Sequence, residues 1–202
     1  MNFRRPTWDE YLMYNAIEIA TRHSCLKRGS GAVLVNKENR IIATGYNGAA
    51  SGNPSCLDYR YCYYDNLAWE EARTNKKKFS EIRELFKVYC LAVHAEMNAF
   101  GQVTIEEARG GILYLTNYPC PKCAQDGIIT YKIKKVKVWK GYLSNPLLTT
   151  DEKRASDQKL FQAGISLIPF DLSKERIMEI ASYMANHIGE RTSYQFKPND
   201  LR

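Results

Sequence analysis

The sequence predicts a layered α/β fold, on three observations. Short apolar strands alternate with segments of helical periodicity through the second half. An antiparallel hairpin opens the first half, and the hydrophobic share, 45% of 202 residues, suffices for a real core. Strands that alternate with helices stack as layers because each element has one apolar face to cover.

The first helix is read over residues 7–24. Thr7-Trp8-Asp9-Glu10 has the spacing of a capping box, and Trp8, Tyr11, Leu12, Ala16 and Ile19 recur at helical intervals. Gly31 to Val35 and Ile41 to Thr44 are β-rich and flank the polar run 36–40, which predicts a hairpin. Residues 45–62, rich in Gly, Asn, Ser and Tyr, read as loop, and the charged stretch 66–86 as an insertion with a short helix at 80–86. The expected organisation is one domain over 1–202, a loop insertion at 57–89 and a polar tail at 189–202. A helix from His94 to Gly101, a strand at 112–116, a helix at 120–131 and a strand at 136–140 follow. Helix 151–163, strand 166–170 and helix 173–188 complete the series. Around the fourth strand, Lys132, Lys134, Lys135, Lys137 and Lys140 alternate with Val136 and Val138, which reads as one wet face.

The totals exclude several classes. No stretch approaches 18 apolar residues, so a membrane-spanning helix is not expected, and MNFRRPTWDE carries no secretory signal. The expectation is therefore a cytoplasmic protein, in which six cysteines point to metal or catalysis rather than disulfides. The net charge of +7 is compatible with a nucleotide, a nucleic acid or plain solubility, and selects none of them.

Two segments carry chemistry: His94-Ala95-Glu96 and, 24 residues after Glu96, Pro119-Cys120-Pro121-Lys122-Cys123. Singly they are bland. A lone histidine is commonly a core hydrogen-bonder, a lone helical glutamate is commonly solvated, and Cys-x-x-Cys also serves redox pairs. Together, one imidazole and two thiolates make a three-ligand zinc site whose fourth position stays open to water, as a catalytic site requires. Glu96 then stands as the proton carrier. It takes a proton from water acidified by zinc, passes it to the ring nitrogen and protonates the departing ammonia. This pairing of His-x-Glu with Pro-Cys-x-x-Cys is the known signature of zinc deaminases.

On these residues the chain resembles the deoxycytidylate (dCMP) deaminase family within the cytidine-deaminase-like zinc enzymes. The resemblance runs from about Arg5 to about Pro169. It rests on residues 5–13 (RPTWDEYLM), 31–35 (GAVLV), 41–48 (IIATGYNG), 94–99 (HAEMNA) and 119–124 (PCPKCA). The zinc motif marks the whole superfamily, whereas Gly-Tyr-Asn-Gly with His-Ala-Glu-Met-Asn-Ala is particular to this branch. The resemblance implies a three-layer α/β/α domain around a mixed five-stranded sheet, deamination of dCMP to dUMP, and a homo-oligomer, often a hexamer. It places Asn47 on the sugar, the Ala95 backbone on the base, and Tyr142 as an aromatic closing the site. The same residues read alone are a turn asparagine and an ordinary packing tyrosine.

Cys25, Cys56, Cys62 and Cys90 remain. Some family members carry a second, structural zinc with ligands from these regions, and four leftover thiols equal one closed site. Their alternative is a set of unrelated free thiols. The family is often regulated by dCTP and dTTP. Ala50, where many members have proline, and the 27 residues between Cys62 and Cys90 depart from the regulated pattern.

Two rival functions share the zinc motif. A deaminase of bases in RNA or DNA, such as a tRNA adenosine deaminase, would suit the basic charge, and the tyrosines at 59, 61, 63 and 64 could stack bases. Against it stand the Gly-Tyr-Asn-Gly loop and the lack of a separate RNA-binding module. A metal-stabilised regulatory protein that keeps the fold without activity is the other, opposed by the intact His94, Glu96, Cys120 and Cys123. The motifs also leave dCMP, dCTP, CMP and deoxycytidine open as substrates.

Overall fold

The computed structural model describes residues 4–142 and 148–187. Helix α1 (Trp8–Ala20) starts on the expected capping box, with Thr7 and Glu10 each bonding the other's backbone N–H. Its buried face is Leu12, Met13 and Ala16, whereas Trp8 and Tyr11 lie outside. Strands β1 (Gly31–Val35) and β2 (Ile41–Tyr46) form the antiparallel hairpin. The Asn36 side chain tightens their turn by accepting from the backbones of Glu38 and Arg40.

Residues 45–90 are more ordered than their polarity suggested. A short β3 (Gly48–Ala49) is followed by α2 (Cys56–Tyr59), α3 (Tyr63–Thr74) and α4 (Phe79–Phe86). Ala68, Ala72 and Ile82, backed by Phe79 and Phe86, form a small core of their own between α3 and α4. Ordinary periodicity hides α3 because its buried positions are alanines and a tyrosine rather than large aliphatics. Lys27 and Arg83 both pair with Asp65 of α3, at 2.6 and 2.9 Å, and tie this helical pair to the segment before β1. Burial alone would raise the Asp65 carboxyl, but those two cations outweigh it and hold it below the ordinary carboxylate range.

A two-residue β4 (Ala92–Val93) pairs with β3 and leads into α5 (Ala95–Phe100). After α6 (Ile105–Ala108) come β5 (Ile112–Leu115) and a helical segment from residue 121 that widens to π pitch over Cys123–Ile129. The chain continues through β6 (Lys135–Trp139), α7 (Thr150–Gln162), β7 (Ser166–Phe170) and α8 (Lys174–His187). The five-stranded sheet has the order β2-β1-β5-β6-β7. It is mixed: β1 is antiparallel to both β2 and β5, while β5, β6 and β7 run parallel.

Both faces of the sheet are covered, giving the three-layer α/β/α arrangement. One core joins Leu34, Leu113, Leu115, Val136 and Val138 to α5, the 121–129 helix and α7. The other joins Val33, Val35 and Tyr114 to α1, with Trp139, Phe170 and the α8 residue Ile177 alongside. The lysine-rich β6 therefore lacks the wet face read from its alternation. Lys137 is only 12% exposed, and α1 supplies its partner, with Asp9 Oδ2 at 2.5 Å. A lysine stem fills apolar space readily when a carboxylate meets its head. Among the described residues no helix is long and apolar enough to cross a membrane.

Two glycines permit the layers to approach. A Cβ on Gly31 would stand 1.9 Å from the Ala16 carbonyl oxygen, and one on Gly45 would stand 2.1 Å from that of Ala95. Both neighbours are helix backbone, which cannot rotate aside. Gly31→Ala is therefore expected to destabilise the protein by about 2 kcal/mol or more. Chemical denaturation checks this, and a variant as stable as its parent would show that α1 is not seated so closely on β1.

Candidate metal centre and deaminase site

The site forms where two segments of the same sheet face end in helices. His94 is the N-cap of α5, yet its side chain makes no capping bond. It turns instead toward the sulfurs that follow β5. His94 Nδ1 lies 3.2 Å from Cys123 Sγ and 3.5 Å from Cys120 Sγ. The three ligand atoms fall within 4.8 Å of one another. For zinc bonds of ~2.0–2.1 Å to nitrogen and ~2.3 Å to sulfur, a tetrahedral angle puts N and S roughly 3.5 Å apart. The observed separations lie at and just below that value, so the donor set fits the metal. Among the described residues no fourth His, Cys, Asp or Glu joins the cluster, which leaves one coordination position for a non-protein ligand.

The three donors shift one another's proton affinity. A hydrogen bond with Cys123 holds the Cys120 thiol down, to about 4, aided by His94 and the Cys123 backbone N–H, whose nitrogen is 3.4 Å from the sulfur. Cys123 is pushed far up by that same contact and by burial. The contact with Cys120 raises His94 despite its burial. Of the two sulfurs Cys120 is therefore the easier to deprotonate, and His94 is easier to protonate than an ordinary imidazole. Glu96, 7% exposed at the first turn of α5, is raised by burial, partly countered by the His94 charge. Its carboxyl also pushes the Cys123 thiol up, so it neighbours the ligands without being one.

The elements behind the site are pinned by amides. Asn98 Nδ2 donates to the Tyr46 carbonyl at 2.9 Å, fixing α5 to the end of β2. Asn47, 5% exposed, accepts from the Ser30 N–H at 2.7 Å and donates to the Arg28 carbonyl at 3.0 Å. Asn117, three residues before Cys120, donates to the Gly29 carbonyl at 3.0 Å and to Ser30 Oγ at 2.5 Å. Residues 28–30 are thus clamped from both sides. Ala95 is buried, with its carbonyl against Gly45. The Tyr142 side chain and the tail 189–202 lie outside the described residues.

Cys25, Cys56, Cys62 and Cys90 do not meet at ligand distance, since no group of three or more donors among the described residues includes them. All four are free. They are spread over separate pieces of backbone: Cys56 opens α2, Cys62 precedes α3, Cys25 follows α1 and Cys90 ends the turn before β4. They remain electrostatic neighbours, with Cys90 sensing Cys25 and Cys62, and Cys62 sensing Cys56. Burial raises the Cys62 thiol.

Sequence reasoning missed Arg28 and Asn117. Arg28 Nη1 is buried without a partner, as is Asn117 Oδ1. Arg28 lies outside the lysine-rich run that the sequence singles out, and Asn117 carries no motif. Only the clamp on residues 28–30 gives either one a place.

An α/β/α sandwich with an open His-Cys-Cys site and a buried glutamate beside it defines the class of zinc-dependent hydrolytic deaminases. The sequence comparisons narrow this. The model of the cytidine and deoxycytidylate deaminase zinc-binding region matches residues 6–140. The chain is 31% identical over 163 residues to the deoxycytidylate deaminase of Homo sapiens, covering 81% of this chain and 79% of that one. It is 30% identical over 206 residues to the ComE operon protein 2 of Bacillus subtilis (strain 168), covering 98% and 92%. The fold matches the crystal structure of the dCMP deaminase from the cyanophage S-TIM5 in complex with dCMP and dUMP, with a TM-score of 0.56 and 23% identity over 83% of this chain and 99% of that one. The chain belongs to the cytidine and deoxycytidylate deaminase family.

Zinc binding must displace protons, because Cys123 and His94 ligate only when deprotonated. The raised Cys123 thiol keeps its proton as pH falls and the His94 imidazole gains one, so protons compete with zinc for both donors. Zinc affinity is expected to drop roughly tenfold per pH unit for each proton displaced. Chelator competition between pH 7.5 and 5.5 measures this. An affinity flat across that range would exclude these ligands.

Proposed function

We propose that this chain hydrolyses dCMP to dUMP and ammonia. The observation that carries the proposal is the open three-ligand cluster with the Glu96 carboxyl buried against it. Zinc in such a site supplies a nucleophile at neutral pH by acidifying water. Glu96, raised by burial, is suited to take a proton from the attacking water and release it again. It gives that proton to the ring nitrogen next to the amine-bearing carbon, then takes a second proton from the hydroxyl now on that carbon and delivers it to the amine, so that the C=O forms as the carbon–nitrogen bond breaks. Water adds across the ring carbon and ammonia leaves, so no redox partner is needed. The choice of dCMP is supported by the deoxycytidylate deaminases among the relatives.

Asn47 retains one amide hydrogen and one lone pair beyond its bonds in the fold, enough for a sugar hydroxyl. We place the Ala95 backbone against the base on the same reading. Glu96→Ala is expected to lower dCMP turnover by ~10²-fold or more while zinc content stays that of the parent. Ammonia release from dCMP checks it, and a variant as active as the parent would remove Glu96 from the chemistry.

The same reading extends to a cytoplasmic homo-oligomer, a hexamer as the family resemblance implies, with dCTP and dTTP as effectors. Trp69 (59% exposed), Leu85 (69%) and Val88 (82%) on and after α3 and α4 are apolar surface that a second copy would cover. Light scattering is expected to give several times the 23.3 kDa chain mass. A monomer at micromolar concentration would refute it.

A further inference from the structure

We propose that Arg28 grips the 5′-phosphate of the substrate, an inference that rests on the nucleotide reading above. Arg28 Nη1 is buried and has no hydrogen-bond partner, and no ion pair engages the guanidinium among the described residues. Leaving a charged donor so placed is costly unless a partner arrives. The backbone around it is fixed: Asn47 holds the Arg28 carbonyl, and Asn117 holds the next one. A clamped loop aims the side chain without ordering cost on binding.

Its position suits the far end of a nucleotide. Its carbonyl is held by Asn47, placed above on the sugar, and the next two residues are held by Asn117, three residues before the ligand Cys120. Arg28 is thus joined through Asn47 to the proposed sugar contact and is not one of the metal-ligand cluster, as a group meeting the phosphate should be. The adjacent cation is spoken for, since Lys27 is bound by Asp65 and Tyr64. Arginine's planar fork also matches phosphate oxygens two at a time.

The test uses the zinc-loaded full chain and two non-reacting ligands, dUMP and deoxyuridine, titrated calorimetrically. The parent is expected to prefer dUMP. Arg28→Gln should weaken dUMP roughly 10- to 100-fold and move deoxyuridine less than about threefold. Arg28→Lys, which keeps the charge but loses the fork, should fall between. Equal weakening of both ligands, or unchanged dUMP affinity, would overturn the role of Arg28. If Arg28→Gln does not fold, as judged by circular dichroism and zinc content, the lysine variant decides by the same ratio. A parent that binds deoxyuridine as well as dUMP would instead overturn the nucleotide reading itself.

Discussion

Three donor atoms on two separate helix starts must meet within 4.8 Å, and much of the architecture serves that convergence. The histidine arrives on α5, which lies against β2 and β1. The cysteines arrive on the helix after β5, the strand that borders β1 on its other side. Relative movement of these helices would open the cluster. The Gly45–Ala95 contact, the Asn98–Tyr46 bond and the shared core of Ala95, Ala99, Phe100, Ala124 and Ile128 resist it. Small residues dominate that core, so the helices can pack flush on the sheet. Larger side chains would lift α5 and carry His94 out of reach.

Holding the cluster shut has an electrostatic cost. Two sulfurs, an imidazole and a carboxyl are crowded where little solvent reaches them, and each shifts the proton affinity of the others. The same crowding keeps Glu96 easier to protonate than an ordinary glutamate. A carboxyl that must both accept and return a proton works best with its pKa moved toward neutrality. Ligand geometry and proton affinity are thus set by one packing arrangement.

The sequence revealed the metal ligands because spacing is a local property. His-x-Glu and Cys-x-x-Cys fix which donors start helices, whatever surrounds them. The hairpin, the capping box at Thr7 and the parallel strands were legible for the same reason. What escaped depended on partners far along the chain. Lys137 reads as solvated until Asp9, on the opposite layer, is seen beside it. Helix α3 is stabilised by α4 and by Asp65 pairing with Lys27, neither visible in a charged window of low apolar content. The four remaining cysteines, grouped on the family resemblance and on their number, form no donor group of three or more among the described residues.

The helical pair α3–α4 is best understood through what it touches. Asp65 joins Lys27 to Arg83, and Lys27 immediately precedes Arg28. By neutralising one of two adjacent cations and anchoring it, the pair fixes which of them remains free for an anion. Asn47 and Asn117 then determine where that free cation sits. On the proposed role of Arg28, a segment that looks dispensable in sequence helps to shape the substrate end of the site, while α5 and the cysteine helix hold the metal ligands. The two ends meet at residues 28–30, which Asn117 ties to the segment leading into Cys120, so on that role a change there reaches the metal ligands as well.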